Sequence, residues 1–245
     1  MGDVLLSLHA VSKSYWRGAT EVRVLDGASL EVPAGELVAV WGKRGAGKTT
    51  LLRVAAGLER PDEGTVTFDG EDLARLSEGA HARLMRECVG WVRRAGPSSD
   101  LQMIDYVSLP LLIDSGQRGA RRQASAALRR VGMSDCAGQR WNSLSDGERA
   151  LVAIAHGIAR APRLLLVDDP TANLGLRERE EVLQLLLSLV QETNLAVLMT
   201  VPDMPAAMRS HQIRALSAGR LLAPAPPPPQ HDGNVIDFPR SERSA

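Results

Sequence analysis

One glycine-rich stretch of the sequence carries residue types that bind phosphate. The stretch VAVWGKRGAGKTTLL, residues 38–52, contains the pattern Gly-x-x-x-x-Gly-Lys-Thr, which begins at Gly42 and ends at Thr49. Glycines let backbone N–H groups converge on phosphate oxygens, and a helix that begins at the loop adds positive potential. Lys48 would then reach the β- and γ-phosphates, and Thr49 would bind Mg²⁺. The pattern therefore predicts a nucleoside triphosphate site rather than an ordinary glycine-rich turn. The expected binding residues are Gly42, Lys43, Arg44, Gly45, Ala46, Gly47, Lys48, Thr49 and Thr50.

Two adjacent carboxylates lie further along the chain. Asp168 and Asp169 follow the apolar run LLLV, residues 164–167. A carboxylate at the end of a buried strand is where proteins with a phosphate loop hold magnesium. We therefore predict that Asp168 binds Mg²⁺ together with Thr49. The alternative is a pair of loop acids without that function.

The pattern of apolar residues predicts the elements that must position these groups. Over the first 222 residues, short β-rich runs alternate with helical patterns, which is typical of an α/β fold. VLLSLHAV and VRVLDGASLEV predict antiparallel strands, and ELVAVW predicts a buried strand that leads into the phosphate loop. Helices are predicted at about 48–56, 147–160 and 176–192, and over most of 104–131 with a break near DSGQRG. Further strands are predicted at 89–92, 163–169 and 195–200.

Composition and charge narrow the class of protein. The 29 Lys and Arg residues balance 29 Asp and Glu residues, so no strong field favours nucleic acid or an anionic membrane as the main partner. No apolar run approaches the roughly 18–20 residues that span a bilayer, so we expect any membrane role to come through a partner subunit. Two cysteines and no apolar secretory segment predict a reduced, cytoplasmic protein.

The composition changes after residue 222. Residues 223–245, APAPPPPQHDGNVIDFPRSERSA, combine a proline run with few apolar residues. We predict one nucleotide-binding domain over 1–222 and a largely disordered tail over 223–245. Within the tail, NVIDFP is either an inert segment or a short docking motif.

Further segments resemble the ATP-binding subunits of ABC transporters. LSDGE, residues 144–148, resembles the family's signature LSGGQ, and DDPTANL, residues 168–174, resembles its magnesium-site segment and D-loop. SYWRGATEVRVLDGASLEVPAGELVAVWG and VGWV are most similar to the group that serves lipoprotein release, macrolide and peptide efflux, and cell-division signalling. The resemblance covers roughly residues 4–222. It implies a P-loop NTPase core with an antiparallel β subdomain and a small helical subdomain at about 75–145.

The resemblance implies roles for residues outside the phosphate loop. Tyr15 would stack on the adenine of ATP, and the alternative is an ordinary surface tyrosine. Two subunits, identical or different, would enclose two ATP molecules, each bound with Mg²⁺ by the phosphate loop of one chain. Ser145, Asp146 and Gly147 of the opposite chain would approach the γ-phosphate. The helical subdomain would contact a membrane-spanning subunit, which would hold the chain on the inner face of the cell membrane.

Several positions depart from the family pattern at the catalytic centre. Arg94 stands where a glutamine is usual, and a guanidinium cannot bind a metal ion. Asp169 replaces the catalytic glutamate, so the general base is one methylene shorter. Pro202 replaces the switch histidine and offers no side-chain donor to the γ-phosphate. Because a positioned general base contributes about 10² to 10⁴ in rate, we expect ATP binding with weak or no hydrolysis.

Other departures change the charge at the expected dimer interface. Gly175 removes the acid that commonly ends the D-loop, Asp146 replaces the first glycine of the signature, and Arg44 replaces a small serine of the phosphate loop. We hypothesise that Asp146 of one subunit meets Arg44 or Lys43 of the other, since an unpaired acid facing phosphates is unfavourable. The alternative is that these are solvated loop charges. Arg44 and Arg94 are also expected to replace part of the charge of Mg²⁺.

Three functions fit this set of residues. The chain would be an ATP-binding subunit of a transporter-like complex, of the export or mechanical-signalling type, which closes as a dimer on ATP to drive or gate a membrane partner. Alternatively, it would be a regulatory pseudo-ATPase, or the degenerate half of a heterodimer that completes a competent partner's site. Turnover by the chain alone and with its membrane partner distinguishes the first function from the second.

Overall fold

Two β-sheets and the helices packed on them make up the described part of the chain. The computed structural model describes residues 3–93, 96–97 and 100–222. The predictions for Arg94 and for the tail over 223–245 therefore lie outside the described residues. The predicted fold class, an α/β P-loop NTPase core with an antiparallel β subdomain and additional helices, is confirmed.

A six-stranded sheet lies at the centre of the fold. Its strands are β3 Leu37–Trp41, β6 Val89–Val92, β7 Leu164–Asp168, β8 Ala196–Val201, β9 Gln212–Ser217 and β10 Arg220–Leu222. The order is β10-β9-β3-β8-β7-β6, with β10 antiparallel to β9 and the other strands parallel. Short, almost wholly apolar runs form the central strands, as expected for a parallel sheet that is covered on both faces.

The second sheet is antiparallel and comes mainly from the N-terminal part of the chain. Its strands are β1 Val4–Arg17, β2 Thr20–Pro33, β4 Glu63–Phe68 and β5 Glu71–Asp72, in the order β2-β1-β4-β5. The backbone N–H of Asp26 in β2 donates to the carbonyl of Gly219, 2.9 Å away, next to β10. This hydrogen bond ties the second sheet to the edge of the central one.

The helices follow the periodic segments of the sequence. They are α1 Lys48–Ala55, α2 Glu78–Cys88, α3 Met103–Ser108, α4 Leu112–Arg130, α5 Asp146–Ile158, α6 Leu176–Thr193 and α7 Met204–Ala207. The break expected near DSGQRG lies at Gly116, whose φ of 60° and ψ of 172° are not helical. The helices α2, α3 and α4 fall within the range 75–145 that the sequence assigns to a helical subdomain.

None of the helices that the structure describes is long and apolar enough to span a membrane.

Apolar side chains cover the central sheet on both faces. On one face, Leu51 and Leu52 of α1 are fully buried in a cluster that also holds Leu166 of β7 and residues of the second sheet. On the other face, Ile154 of α5 and Leu186 of α6 belong to a second buried cluster. The sheet is therefore fixed between two cores, and its strand ends are fixed with it.

β6 is an edge strand of this sheet, and α5 approaches it closely. A Cβ atom built on Gly90 of β6 would overlap the carbonyl oxygen of Gly157 and lie 2.8 Å from Leu165. A Cβ atom built on Gly157 of α5 would in turn lie 2.8 Å from Val92. The two glycines therefore let backbone pack against backbone at this point.

This contact predicts the effect of one methyl group. Gly90→Ala should destabilise the fold by about 1–3 kcal/mol, because the buried backbone of α5 must move to make room. Gly79→Ala is the matched control, since Gly79 is exposed on α2 with open space around its Cβ position. There, alanine should be neutral or stabilising by up to about 1 kcal/mol. Urea unfolding measures both, and equal stability of the two variants would contradict the contact.

Candidate nucleotide-binding site

The phosphate loop connects the end of β3 to the start of α1. Gly45 and Gly47 have φ angles of 82° and 101°, which lie in the left-handed region that glycine tolerates. A Cβ atom on Gly47 would lie 2.7 Å from the carbonyl oxygen of Val24, and one on Gly42 would lie 2.5 Å from that of Leu216. The glycines of the pattern are therefore required by the neighbouring chain as well as by the turn.

Lys48 is the first residue of α1, and its side chain lies back across the loop. Its Nζ atom donates to the carbonyl oxygens of Gly42 and Lys43, at 2.6 and 3.2 Å. The ammonium group is thus held inside the loop that the sequence predicts to surround phosphate. A phosphate oxygen in the loop would offer it a charged acceptor in place of these neutral carbonyls.

Asp168 lies at the end of β7, where two hydroxyl groups donate to its carboxylate. Thr49 Oγ1 donates to Asp168 Oδ2 at 3.0 Å, and Thr200 Oγ1 donates to Asp168 Oδ1 at 2.8 Å. Thr200 is completely buried and is the Cα partner of Asp168 in the pairing of β7 with β8. Sequence reasoning missed Thr200, because its role depends on the register between strands that are far apart in the chain.

The oxygen atoms of Thr49 and Asp168 fit Mg²⁺. Among the described residues, no group of three or more His, Cys, Asp or Glu side chains could hold a metal ion by itself. Mg²⁺ commonly binds through one or two carboxylates together with substrate phosphates, and it prefers oxygen ligands. One hydroxyl and one carboxylate, 3.0 Å apart beside a phosphate loop, suit a magnesium ion that arrives with a nucleotide.

Asp169 follows β7 directly, and its backbone continues the contact with β8. Its N–H donates to the carbonyl and to the hydroxyl oxygen of Thr200, at 3.0 and 3.2 Å. Its φ of 51° is left-handed, a conformation that aspartate adopts more readily than most residues. Asp169 lines the same pocket as the phosphate loop.

A pocket of about 650 Å³ joins these groups. Four cationic side chains and two carboxylates contribute to its wall. The cations are Arg17, Arg44, Lys48 and Arg93, and the carboxylates are Asp168 and Asp169. The excess of positive charge favours a polyanionic ligand such as a triphosphate. Sequence reasoning did not single out Arg17 or Arg93, since neither belongs to a recognised motif.

Tyr15 lies in the wall of the same pocket and is half-buried. Its hydroxyl donates to Glu59, whose carboxylate also pairs with Arg53 at 2.8 Å. Burial and the hydrogen bond to Glu59 raise the pKa of Tyr15, so the phenol stays neutral near pH 7. Tyr15 thus contributes to the wall of the pocket, and its stacking on a nucleotide base stays a prediction.

The signature residues lie at the start of α5, outside the wall of the phosphate pocket. Ser145 caps this helix: its Oγ accepts from the N–H of Glu148 at 3.2 Å, and the Glu148 carboxylate accepts from the N–H of Ser145 at 2.7 Å. Gly147 packs against Glu178, whose carboxylate would lie 2.9 Å from an added Cβ. Within one chain, neither Ser145 nor Gly147 lines the phosphate pocket.

Asp146 has a partner in its own chain. Its carboxylate pairs with Arg149, one turn further along α5, at 3.1 Å. Both residues line a second cavity of about 340 Å³, together with Arg93 and Asp168. Arg149 of the same chain therefore offsets the charge of Asp146, and the hypothesis that Asp146 meets Arg44 or Lys43 of a second subunit stays a prediction.

The remaining departures lie at the ends of neighbouring elements. Pro202 directly follows β8 and precedes Asp203, which caps α7 by accepting from the N–H of Ala206 at 3.1 Å. Gly175 precedes α6, and its N–H donates to Glu178 at 2.9 Å. Neither Pro202 nor Gly175 brings a side-chain donor or acid to the pocket. The position that the sequence assigns to Arg94 is outside the described residues.

A wider groove of about 800 Å³ adjoins the phosphate pocket. The two share Thr49, Arg93 and Asp168, and the groove continues between β6, α2 and α3. His156 lies in this groove and stacks on Tyr106, with ring centroids 4.6 Å apart. Burial, with a further contribution from the charge of Arg93, lowers the pKa of His156 to about 4, so this histidine is neutral near pH 7.

The fold and the site together define a P-loop nucleotide-binding protein. A family model described as ABC transporter matches residues 25–172. The chain is 38% identical over 221 residues to the lipoprotein-releasing system ATP-binding protein LolD of Cereibacter sphaeroides, a match that covers 89% of this chain and 99% of that protein. The chain therefore belongs to the ATP-binding subunits of the ABC transporter family.

Other relatives and solved structures agree with this assignment. The LolD protein of Pseudomonas syringae is 36% identical over 220 residues, which cover 89% of this chain and 97% of that protein. The dimeric ATP-binding cassette MJ0796, bound to ADP and Pi, superposes with a TM-score of 0.80 at 28% identity, over 89% of this chain and 97% of that one. The predicted similarity to the lipoprotein-release group is thereby confirmed.

The contact between Thr200 and Asp168 predicts the effect of removing one hydroxyl group. Thr200→Val should weaken the binding of Mg²⁺ to the ATP-bound protein about 10-fold, because one oxygen of Asp168 loses its donor and the carboxylate is less well oriented. Thr65→Val, on the exposed part of β4, is the matched control and should change nothing. Titration with Mn²⁺ as a paramagnetic substitute measures the affinity. Equal Mn²⁺ affinity in the two variants would show that Thr200 does not position Asp168.

Proposed function

We propose that the chain is the ATP-binding subunit of an ABC transporter-like membrane complex, of the export or mechanotransmission type. It closes as a homodimer or heterodimer on ATP and thereby drives or gates a membrane partner. The observation that carries the proposal is the pair of Thr49 and Asp168, 3.0 Å apart beside the phosphate loop. The relatives named for lipoprotein release support the class of complex. The chain would lie on the cytoplasmic side, attached through a membrane-spanning subunit.

Different residues of the phosphate pocket would bind different parts of ATP. The N–H groups of the loop and the start of α1 face the β- and γ-phosphates, while Lys48 exchanges its carbonyl acceptors for phosphate oxygens. Mg²⁺, when bound by Thr49 and Asp168, shields the charge of these phosphates. Tyr15 supports the base at the other side of the pocket.

The residues expected to hydrolyse ATP depart further from the family pattern than the residues expected to bind it. Asp169 stands at the position of the base but is one methylene shorter than glutamate, and Pro202 gives no donor to the γ-phosphate. The loss of a positioned base alone lowers the rate about 10² to 10⁴-fold. We therefore infer that hydrolysis is weak and that the chain acts mainly through ATP-dependent closure.

The groove beside the pocket is the surface for the membrane partner in this proposal. Leu109 lines this groove and is exposed, and Ile113, which is 80% exposed, lines a neighbouring cavity together with Leu109. Exposed apolar side chains that lie next to one another commonly mark a contact with another protein. The groove shares Arg93 and Asp168 with the phosphate pocket, so a partner seated there would lie close to the nucleotide.

Two restoring substitutions test the proposal. Asp169→Glu combined with Pro202→His should raise ATP turnover by about 100-fold or more, because the base regains its length and the γ-phosphate regains a donor. Lys48→Ala in the same background is the control and should abolish both ATP binding and turnover. Steady-state phosphate release, with the chain alone and with its membrane partner, measures the effect.

Three outcomes separate the candidate functions. Tight ATP binding with little turnover in the unmodified chain, and a gain in the double variant, supports the proposal. Rapid turnover in the unmodified chain that Lys48→Ala abolishes would contradict weak hydrolysis. Failure of the unmodified chain to bind ATP at all would overturn the assignment as an ATP-binding subunit.

A further inference from the structure

Arg93 is placed beside the magnesium ligand by the register of the central sheet. In the pairing of β6 with β7, Val92 is the Cα partner of Val167, so Arg93 follows at the level of Asp168. The contact between Gly90 and Gly157 holds this end of β6 against α5. Arg93 therefore directly follows a strand whose position is fixed by packing.

The side chain of Arg93 lies where three cavities meet. It lines the phosphate pocket with Lys48 and Asp168, the cavity that contains Asp146, and the groove that contains His156. Its charge also contributes to the low pKa of His156, although burial is the larger cause. Arg93 is thus a cation that faces both the phosphate loop and the neighbouring groove.

The guanidinium of Arg93 is available to an anion. Arg53 and Arg149, close to the same cavities, have carboxylate partners at 2.8 and 3.1 Å. Arg93 makes no hydrogen bond or ion pair with any residue in the described part of the chain. It is exposed, so no burial cost opposes its charge, and a guanidinium matches the oxygen geometry of a phosphate.

We propose that Arg93 binds the terminal phosphate of ATP and that this chain consequently binds ATP with unusually little need for Mg²⁺. Arg44 contributes a second positive charge, since it belongs to the phosphate loop and lines the same pocket. The proposal rests on the function proposed above, because it takes ATP as the ligand. The sequence suggests a similar role for the neighbouring Arg94, which lies outside the described residues.

Nucleotide affinity with and without Mg²⁺ tests this role. In the unmodified chain, chelation with EDTA should weaken ATP binding by less than about 10-fold. In Arg93→Gln, EDTA should weaken it by a further factor of about 10 or more, because both sources of positive charge are then missing. With Mg²⁺ present, the same substitution should cost no more than about 3-fold. Isothermal titration calorimetry with ATP measures each constant.

Two controls make the effect specific to the terminal phosphate. Arg83→Gln removes an equal charge from the exposed face of α2, and its affinity should match that of the unmodified chain under both conditions. AMP should bind Arg93→Gln and the unmodified chain equally, since it lacks the phosphate that Arg93 contacts. Arg93→Lys keeps the charge without the planar fork and should give an intermediate affinity for ATP in EDTA.

The outcomes separate this proposal from the proposed function. If the unmodified chain binds ATP only with Mg²⁺, or if Arg93→Gln and Arg83→Gln behave alike in EDTA, Arg93 does not act on the phosphate, and the ATP-binding subunit stands. If the unmodified chain binds ATP under neither condition, the proposed function fails together with the role of Arg93.

Discussion

The alignment of three parallel strand ends is the constraint on which the rest of the site depends. β3, β8 and β7 are neighbours in the sheet, so the residues that follow them meet at one edge. There, Asp168 accepts hydrogen bonds from Thr49 and from Thr200. Because both oxygens of the carboxylate are held by rigid elements, its charge is oriented next to the phosphate loop before a ligand arrives.

The same strand ends bear on the proposed difference between ATP binding and ATP hydrolysis. The groups that bind lie on the strands, on α1 and in the backbone of the phosphate loop, where packing on both faces of the sheet constrains them. The groups for hydrolysis lie just beyond the strands, at Asp169 after β7 and at Pro202 after β8. A substitution at either position removes a chemical function with little effect on the core that positions the nucleotide.

The start of α5, which carries the signature residues, is also separate from the wall of the phosphate pocket in the same chain. Ser145 and Gly147 do not line the phosphate pocket of their own chain, and Asp146 is paired with Arg149. The N-terminus of a helix normally favours an anion, but the carboxylate of Asp146 in the first turn already offsets part of this positive potential. In the proposed dimer, charge at this position would therefore affect the approach of a second nucleotide-loaded chain.

The sequence predicted those features that depend on local pattern. The spacing of glycines in the phosphate loop, the apolar runs of β3, β7 and β8, and the break at Gly116 can each be recognised from a few consecutive residues. Thr200 and Arg93 could not, because their proximity to Asp168 follows from strand register across the sheet. The pair of Asp146 and Arg149 has the i, i+3 spacing of a helix, so it can be recognised from the sequence.

The proposed function requires that this chain bind ATP in a well-formed site and hydrolyse it slowly. The most direct test is to load the purified chain with ATP and Mg²⁺, remove free nucleotide, and identify the bound nucleotide by chromatography over time. If hydrolysis is as slow as proposed, most of the nucleotide remains ATP over many turnover times of a competent relative of this family. Prompt appearance of ADP, absent in Lys48→Ala, would contradict it.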